Sequence, residues 1–353
     1  MNFFITGGAG FIGSTMIKFL IENTDHHIIN FDKLTYAGNI ETLKSVSKNK
    51  RYKFIHGDII DRNTIDKIFK KFKPDIVMNF AAESHVDRSI NKADNFINTN
   101  ILGTYNILNS ALTYWEKLKG NKKNNFRFHQ VSTDEVFGTL GKKGKFKETS
   151  SYQPNSPYSA SKASADHLVR AWNITYNIPT LITNCSNNYG PFQFPEKLIP
   201  LMILNAVRGK KLPLYGNGMN IRDWIHVEDH VSALYEIIIK GKAGETYNIG
   251  GENEKSNFEV VSQICKILDS LKVNKKNNIE KYLDLIIFVS DRPGHDQRYR
   301  IDNKKIKEEL GWSPKIKFKD GLKMTVKWYL ENLDWCNKIS LKNTNTDKVG
   351  SYK

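Results

Sequence analysis

The sequence predicts an α/β protein built on a doubly wound parallel sheet, followed by a smaller C-terminal domain. Three observations carry this reading. Short apolar runs alternate with helical periods through the first 190 residues, as in a parallel sheet whose crossovers are helices. The chain opens on an apolar run, Phe3-Phe4-Ile5, that ends in Gly7-Gly8-Ala9-Gly10-Phe11-Ile12-Gly13 and passes at once into a helical period. Beyond Asn187-Asn188-Tyr189-Gly190-Pro191 the alternation stops and proline-punctuated segments take over.

The first helix, Phe11 to Glu22, repeats Phe11, Ile12, Met16, Phe19 and Leu20 at helical spacing. His27 to Phe31 reads as a second strand ending in Asp32, and Tyr52 to Ile55 as a third, followed by His56-Gly57-Asp58-Ile59. A helix from Asn63 to Lys71 returns to a fourth strand, Ile76 to Phe80, which gives way to the polar run Ala81 to Asp87. A long helix, about Asn95 to Leu118, carries Tyr105, Leu108, Leu112 and Trp115 on one face. Strand five, Phe126 to Val131, delivers Ser132-Thr133-Asp134-Glu135. A second long helix, about Pro157 to Tyr176, leads to strand six, Thr180 to Asn184. Ligands of such sheets lie outside the strand carboxyl ends, so these polar clusters should share one rim.

The smaller domain is marked by Phe194 to Pro200 and Pro213 to Gly216, with sheet-domain material returning as a short strand, Asp223 to Val227, and a helix, His230 to Lys240. The last ordered helix is expected at Leu322 to Asn332, and a Lys-, Asn-, Thr- and Ser-rich tail after Trp335. The expected division is 1–190, with returns near 221–242, then 191–335 and a polar tail at 336–353.

The glycine turn has a specific chemistry. Glycine permits positive φ and close backbone approach to an anion, and Gly13 lets the helix pack on the strand. The helix N-terminus then presents free N–H groups to a pyrophosphate. Asp32, at the end of the next strand, is placed to take ribose hydroxyls. Its charge opposes a 2′-phosphate by up to ~4 kcal/mol at contact distance and an effective dielectric of about 20, which favours NAD over NADP. Lys33 partly offsets that repulsion.

Tyr158 and Lys162 stand four apart at the start of a helix and share a face. A phenol acting as a base near neutrality needs its pKa lowered by ~3 units, about 4 kcal/mol. A nearby ammonium, an oxidised nicotinamide and a helix N-terminus all push that way. Thr133-Asp134-Glu135 sets two carboxyls side by side, where mutual repulsion raises at least one pKa and suits one as acid and the other as base.

Composition narrows the classes. The chain has 353 residues and a formal net charge of +16, but its lysines sit in loops such as Lys119 to Lys123 and Lys142 to Lys145. No basic stripe interleaved with aromatics is present, which argues against nucleic acid. No apolar run approaches a membrane span, and Met1 leads into a core strand and not into a leader, so a cytoplasmic, soluble protein is expected. The three cysteines, Cys185, Cys265 and Cys336, suggest neither a disulfide framework nor a metal site.

These motifs together resemble the extended short-chain dehydrogenase/reductases with a Rossmann domain, and within them the nucleotide-sugar 4,6-dehydratases. The resemblance runs from Phe3 to about Trp335 and rests on Thr6 to Gly13, Asp32 to Asn39, Ala81 to Asp87, Ser132 to Gly138, Tyr158 to Lys162, Asn184 to Pro191 and Asp291 to Asp296. It implies a lyase with a recycled NAD. Tyr158, with Lys162 behind it, takes the sugar O4 proton while Thr133 bonds the same oxygen. Glu135 removes the C5 proton, and a protonated Asp134 assists loss of the C6 hydroxyl. It further implies that Gly7, Gly10, Phe11, Ile12, Gly13, Asp32, Lys33, Thr35, Asp58, Ile59, Ala81, Ala82, Thr99, Tyr158 and Lys162 hold the cofactor. Glu83, Ser84, Asn187, Lys197, Leu198, Pro213, Tyr215, Arg222, Asn257, Arg292 and His295 are implied to hold a nucleotide-diphosphate-glucose, with Arg222 and Arg292 as a diphosphate clamp. A homodimer through the two long helices is implied as well.

Two features depart from the family pattern. The loop between Phe137 and Glu148 is short and lysine-rich, and Gly294-His295 resembles the thymidine enzymes whereas Gln297 resembles the plant-type uridine ones. One methyl separates the two bases and is worth only ~1 to 3 kcal/mol, so both remain open. The alternatives are a nucleotide-sugar 4-epimerase, which needs no acid and base at C5 and C6, and a catalytically silent NAD-binding regulator.

Overall fold

The computed structural model describes residues 1–341 apart from 274, 277 and 278. Its strands are β1 (Asn2–Thr6), β2 (His27–Asp32), β3 (Tyr52–His56), β4 (Ile76–Asn79), β5 (Arg127–Thr133), β6 (Thr180–Cys185), β7 (Asn187–Tyr189), β8 (Leu212–Tyr215), β9 (Ile221–His226), β10 (Thr246–Ile249), β11 (Glu254–Ser256) and β12 (Ile286–Val289). Seven of them form one sheet in the order β10-β6-β5-β4-β1-β2-β3, and every pairing in it is parallel. Chain order reverses between β1 and β4, and there a crevice opens at the strand carboxyl ends.

Side chains alternate across the sheet and feed two cores. Phe3 and Ile5 of β1 pack with Met16, Leu20 and Leu234 on one face. Phe4 points the other way, among Ile65, Phe69, Ile107 and Val169. Burying each such side chain contributes roughly 1.5–3 kcal/mol, which is why a strand this short is fixed in register.

The helix Pro157–Tyr176 begins at a capping box in which Ser156 and Ser159 satisfy each other's backbone N–H, with Pro157 in the first turn. That fixes where Tyr158 and Lys162 lie. The single long helix expected from 95 to 118 is broken into Asp94–Phe96, a π-helical stretch Ile97–Gly103, and Thr104–Glu116. Such stretches re-aim side chains and often accompany functional sites.

The remaining strands form two small sheets, β11-β9-β7 and β12-β8. The strand expected at Asp223 to Val227 is β9, but it belongs to the three-stranded sheet. The seventh strand of the main sheet is β10, which periodicity alone does not reveal. The helix Val227–Lys240 does pack on the main sheet, with Val231, Leu234 and Ile237 in its core. A third core, in the smaller domain, joins Ile199, Ile203, Val261, Ile264, Leu322 and Val326.

At the C-terminus the helix Phe318–Glu331 is followed by another, Leu333–Leu341. Order therefore runs past the expected end at Asn332. Cys336 is fully buried in this third core and Ile339 is also buried. Apolar residues at 333, 336 and 339 anchor the helix within a polar composition. Residues 342–353 of the expected tail lie outside the described residues.

Candidate active site

One cleft at the β1/β4 switch point is lined by all the residues expected to hold the cofactor, from Gly7 to Thr99, and by Thr133, Asp134, Glu135, Tyr158 and Lys162. Glu83, Ser84, Asn187 and Lys197 line it too, whereas Leu198, Pro213, Tyr215, Arg222, Asn257, Arg292 and His295 do not.

The glycine turn is shaped for an anion. Gly7 has φ +68°, and a Cβ there would sit 2.5 Å from the Ala81 nitrogen; one at Gly13 would sit 2.4 Å from the Gly7 carbonyl. Gly10 caps the helix Phe11–Asn23, and no side chain satisfies its first N–H groups, which leaves them for a phosphate. The buried Asp32 carboxylate accepts from Ala9 N at 2.8 Å and Leu34 N at 2.7 Å. Lys33 is paired with Asp58 at 2.6 Å, which directs its charge toward that carboxylate. The donor set suits a dinucleotide with free ribose hydroxyls. Gly7→Ala should lose bound NAD in a dialysed preparation and melt lower by about 1–3 kcal/mol, the strain of an L side chain at positive φ plus the clash.

At the end of β5, Thr133 accepts from the Glu135 backbone N–H at 3.3 Å and bonds the Tyr158 hydroxyl. Asp134 is buried, and burial, Glu135 and Asp223 push its carboxyl well above the usual range. Its Oδ2 has no partner among the described residues. Burial also raises Glu135, but Arg292, Arg222 and Lys197 hold it down. The adjacent acids are thus unequal, with Asp134 the one that keeps a proton.

Tyr158 departs from expectation. Burial, followed by the charges of Glu135, Cys185 and Asp134, pushes its phenol well above 10. Lys162 donates to the Val131 carbonyl at 2.7 Å and does not offset that burial. In the protein alone the phenol stays protonated. The lysine spacing by itself therefore does not produce a base.

The two arginines expected as a diphosphate clamp are each engaged within the protein. Arg222 is buried and donates to the Ile221 carbonyl at 2.8 Å and the Asp296 carbonyl at 2.9 Å, with its guanidinium over the Tyr299 ring. Arg292 pairs with Asp87 at 3.0 Å, and Tyr215 donates to the other oxygen of Asp87 at 3.2 Å. Asp87 thereby ties the smaller domain to the rim of the main sheet, a role the sequence did not reveal. His295 bonds Asp291 at 2.6 Å; burial lowers its pKa to about 4, so the ring is neutral. Lys197 donates to the Ser84 carbonyl at 3.0 Å. Asn257 begins a helix and bonds Asn220 through its backbone. Leu198 opens another helix, and Pro213 lies in β8.

Two further residues escaped sequence reasoning. Asn100, in the π-helical stretch, accepts from the Glu83 N–H at 2.9 Å and donates to its carbonyl at 3.0 Å. Glu196 pairs with Arg88 at 3.1 Å and lines the cleft. His85 caps a helix at Arg88 N and lies 3.7 Å from Glu196, a structural placement. Cys185 bonds the Ser132 carbonyl, and burial raises its thiol to about 12, which excludes a nucleophile.

The parallel sheet, glycine turn, ribose acid and Tyr/Lys pair define an extended short-chain dehydrogenase/reductase with an NAD site. More narrowly, the chain belongs to the family described as GDP-mannose 4,6 dehydratase, whose sequence model matches residues 4–325. It is 55% identical over 350 residues to the dTDP-glucose 4,6-dehydratase of Neisseria meningitidis serogroup B, covering 99% of each chain. It is 57% identical to the Haemophilus influenzae enzyme of that name, covering 94% of this chain and 98% of the other. Among solved structures, the dTDP-glucose 4,6-dehydratase of Streptomyces venezuelae with NAD bound aligns at a TM-score of 0.87 and 42% identity, over 96% of this chain and 100% of that one. A UDP-glucose 4-epimerase from Thermotoga maritima aligns at 0.82 and 28% identity, over 94% of this chain and 100% of that one.

Proposed function

We propose that the protein is a nucleotide-sugar 4,6-dehydratase that converts dTDP-glucose to its 4-keto-6-deoxy derivative and regenerates its NAD in each cycle. The observation that carries this is the unequal pair Asp134 and Glu135 at the end of β5, in the same cleft as Tyr158. The family description names GDP-mannose, but the relatives at 55% and 57% identity are thymidine enzymes, which favours dTDP-glucose.

NAD, when bound, would supply a positive charge and a two-electron carrier that takes hydride from C4 and gives it back at C6. Gly7, Gly10, Gly13 and Asp32 would hold it. With that positive charge and Lys162 beside it, Tyr158 would be ionised and accept the proton of the sugar O4, and Thr133 would bond that oxygen. The C4 ketone acidifies the C5 proton, which Glu135 removes as a carboxylate. Asp134 gives its proton to the departing C6 hydroxyl, so one water leaves across C5 and C6, and Glu135 then returns a proton to C5. An acid and a base of different pKa in one low-dielectric pocket suit this elimination. A 4-epimerase shares the fold without needing either group. Arg222, Arg292, Lys197 and the other substrate residues would hold the diphosphate and glucose, with residues 1–190 as the cofactor domain, returned to near 221–242 and at β10, and the remainder of 191–335 as the sugar-nucleotide domain.

The test is to incubate the purified protein with dTDP-glucose and UDP-glucose separately and read product mass. Loss of one water supports the dehydratase, and an isomer of unchanged mass means an epimerase. NAD bound with no turnover means a silent binder. Ile97, Leu102 and Tyr105, along the π-helical stretch and the helix after it, and Ile174 and Tyr176 on Pro157–Tyr176 are exposed apolar residues, which supports a homodimer through these segments. Sedimentation at micromolar concentration should give twice the chain mass; a single-chain mass refutes the dimer.

A further inference from the structure

Against the end of β5, and not among the residues that line the cleft, lies a buried carboxylate that the proposed reaction does not use. Asp166 is one helical turn beyond Lys162 on Pro157–Tyr176 and is 2% exposed. Its Oδ2 accepts from Ser132 Oγ at 2.5 Å and from the Tyr152 hydroxyl at 3.2 Å, while Oδ1 has no partner among the described residues. Tyr152 also meets the Asn184 side chain, at 3.4 Å to its oxygen, and Asn184 Nδ2 donates to the Thr133 carbonyl at 3.2 Å. With Lys162 on the Val131 carbonyl, three successive residues of β5 are gripped, immediately before Asp134 and Glu135.

Burying a carboxylate here is costly unless it is paired or hydrogen-bonded. Ser132 would be served equally well by a neutral acceptor. What a carboxylate adds is a negative charge one helical turn from the Lys162 ammonium, whose charge bears on it in return. Burial lowers Lys162, and the charge of Asp166, more than that of Cys185, raises it again. Reciprocally, burial raises Asp166 to about 6, with Lys162, Ser132, Tyr152 and Asn184 pulling the other way. Cys185 on β6 and Tyr152 are themselves raised, so both stay neutral and leave Lys162 and Asp166 as the charges of this pocket. Asp134, the next acid along β5, is raised well above the usual range and keeps its proton.

We propose that Asp166 is a positioning residue for the first proton transfer, keeping Lys162 charged from behind and, through Ser132, Tyr152 and Asn184, fixing the strand end that presents Thr133, Asp134 and Glu135. The inference rests on the dehydratase reading and deepens it. Asp166 does not line the cleft, so its effect is on kcat and on pH dependence and not on sugar binding.

The experiment first establishes that the wild-type holoenzyme removes water from dTDP-glucose; if it does not, the dehydratase reading fails and the variants are not needed to say so. Asp166→Asn keeps the acceptor for Ser132 and removes the charge. We expect at least a tenfold loss of kcat at neutral pH, a KM within threefold of wild type, and an alkaline limb of the kcat profile displaced downward by a pH unit or more as Lys162 loses its proton more easily. Asp166→Glu should return that limb toward the wild-type position. An alkaline limb unmoved in Asp166→Asn overturns the proposal, even with kcat reduced, because loss of packing lowers kcat without moving a titration. If Asp166→Asn does not fold, Tyr152→Phe removes one donor from the carboxylate and should move the acid limb, where Asp166 takes a proton, to higher pH. An acid limb unchanged in that variant overturns the proposal as well.

Discussion

Glu135→Gln should lose water elimination by about 10²–10⁴-fold, the usual contribution of a positioned general base. The amide is isosteric, so the strand end and its Thr133 contact at the Glu135 backbone N–H are undisturbed. The loss falls on one step. With substrate in D₂O, wild-type product should carry solvent deuterium at C5, delivered when Glu135 returns the proton. The variant should show neither the label nor the mass loss of water, although Tyr158 still operates at O4. The pH dependence has a definite sign. The base must be ionised, and burial raises Glu135 from its ordinary 4.5, so wild-type activity falls as pH drops through a value above 4.5. The part of that limb due to Glu135 should be missing from whatever activity the variant retains, leaving the part set by Asp166 at about 6. Product with deuterium at C5 and full water loss in Glu135→Gln would remove this residue from the mechanism.

The contrast between Asp134 and Glu135 also separates what can be read in a sequence from what cannot. Their adjacency is visible, as is the likelihood of unequal protonation. Which one keeps the proton is not, because it depends on Asp223, which lies on β9 far along the chain, and on Arg222 and Arg292, which bear on Glu135 from the smaller domain. The main sheet was legible through β6 because each strand carries a local apolar run and each helix a 3.6-residue period. β10 was not, because Thr246–Ile249 is four residues long and gains its place only by pairing with β6. The glycine turn was legible because positive φ and close approach at Gly7 demand a residue type. Asp166 was hidden for the opposite reason. An aspartate on a polar-looking helix reads as solvated, and its burial follows from Ser132 and Tyr152, which reach it from β5 and from the loop before the helix. The same limit applies to Arg222. A guanidinium suits a diphosphate by chemistry, but its hydrogen bonds to the carbonyls of residues 221 and 296 are set by tertiary packing.

Tyr158→Phe should abolish the reaction at its first step, with kcat lower by about 10²–10⁴-fold. Because C5 is acidified only once C4 is a ketone, this variant should also show no deuterium at C5. The defect then lies upstream of the one in Glu135→Gln, where O4 chemistry persists. Stability should change little: one hydrogen bond to Thr133 is lost, worth about 1 kcal/mol, and the ring keeps its edge contact with Phe96. NAD occupancy should therefore stay at the wild-type level, which separates a lost base from a damaged cofactor site. In the protein without ligand the phenol is pushed above 10 by burial and by Glu135. An ultraviolet titration of the NAD-free protein should accordingly find no phenolate attributable to Tyr158 at neutral pH, with the difference measured against Tyr158→Phe. A phenolate at neutral pH in the NAD-free protein would mean that Lys162 alone suffices to lower it. Retention of activity within tenfold in Tyr158→Phe would mean that another group takes the O4 proton, and Thr133, already bonded to that hydroxyl, would be the residue to examine next.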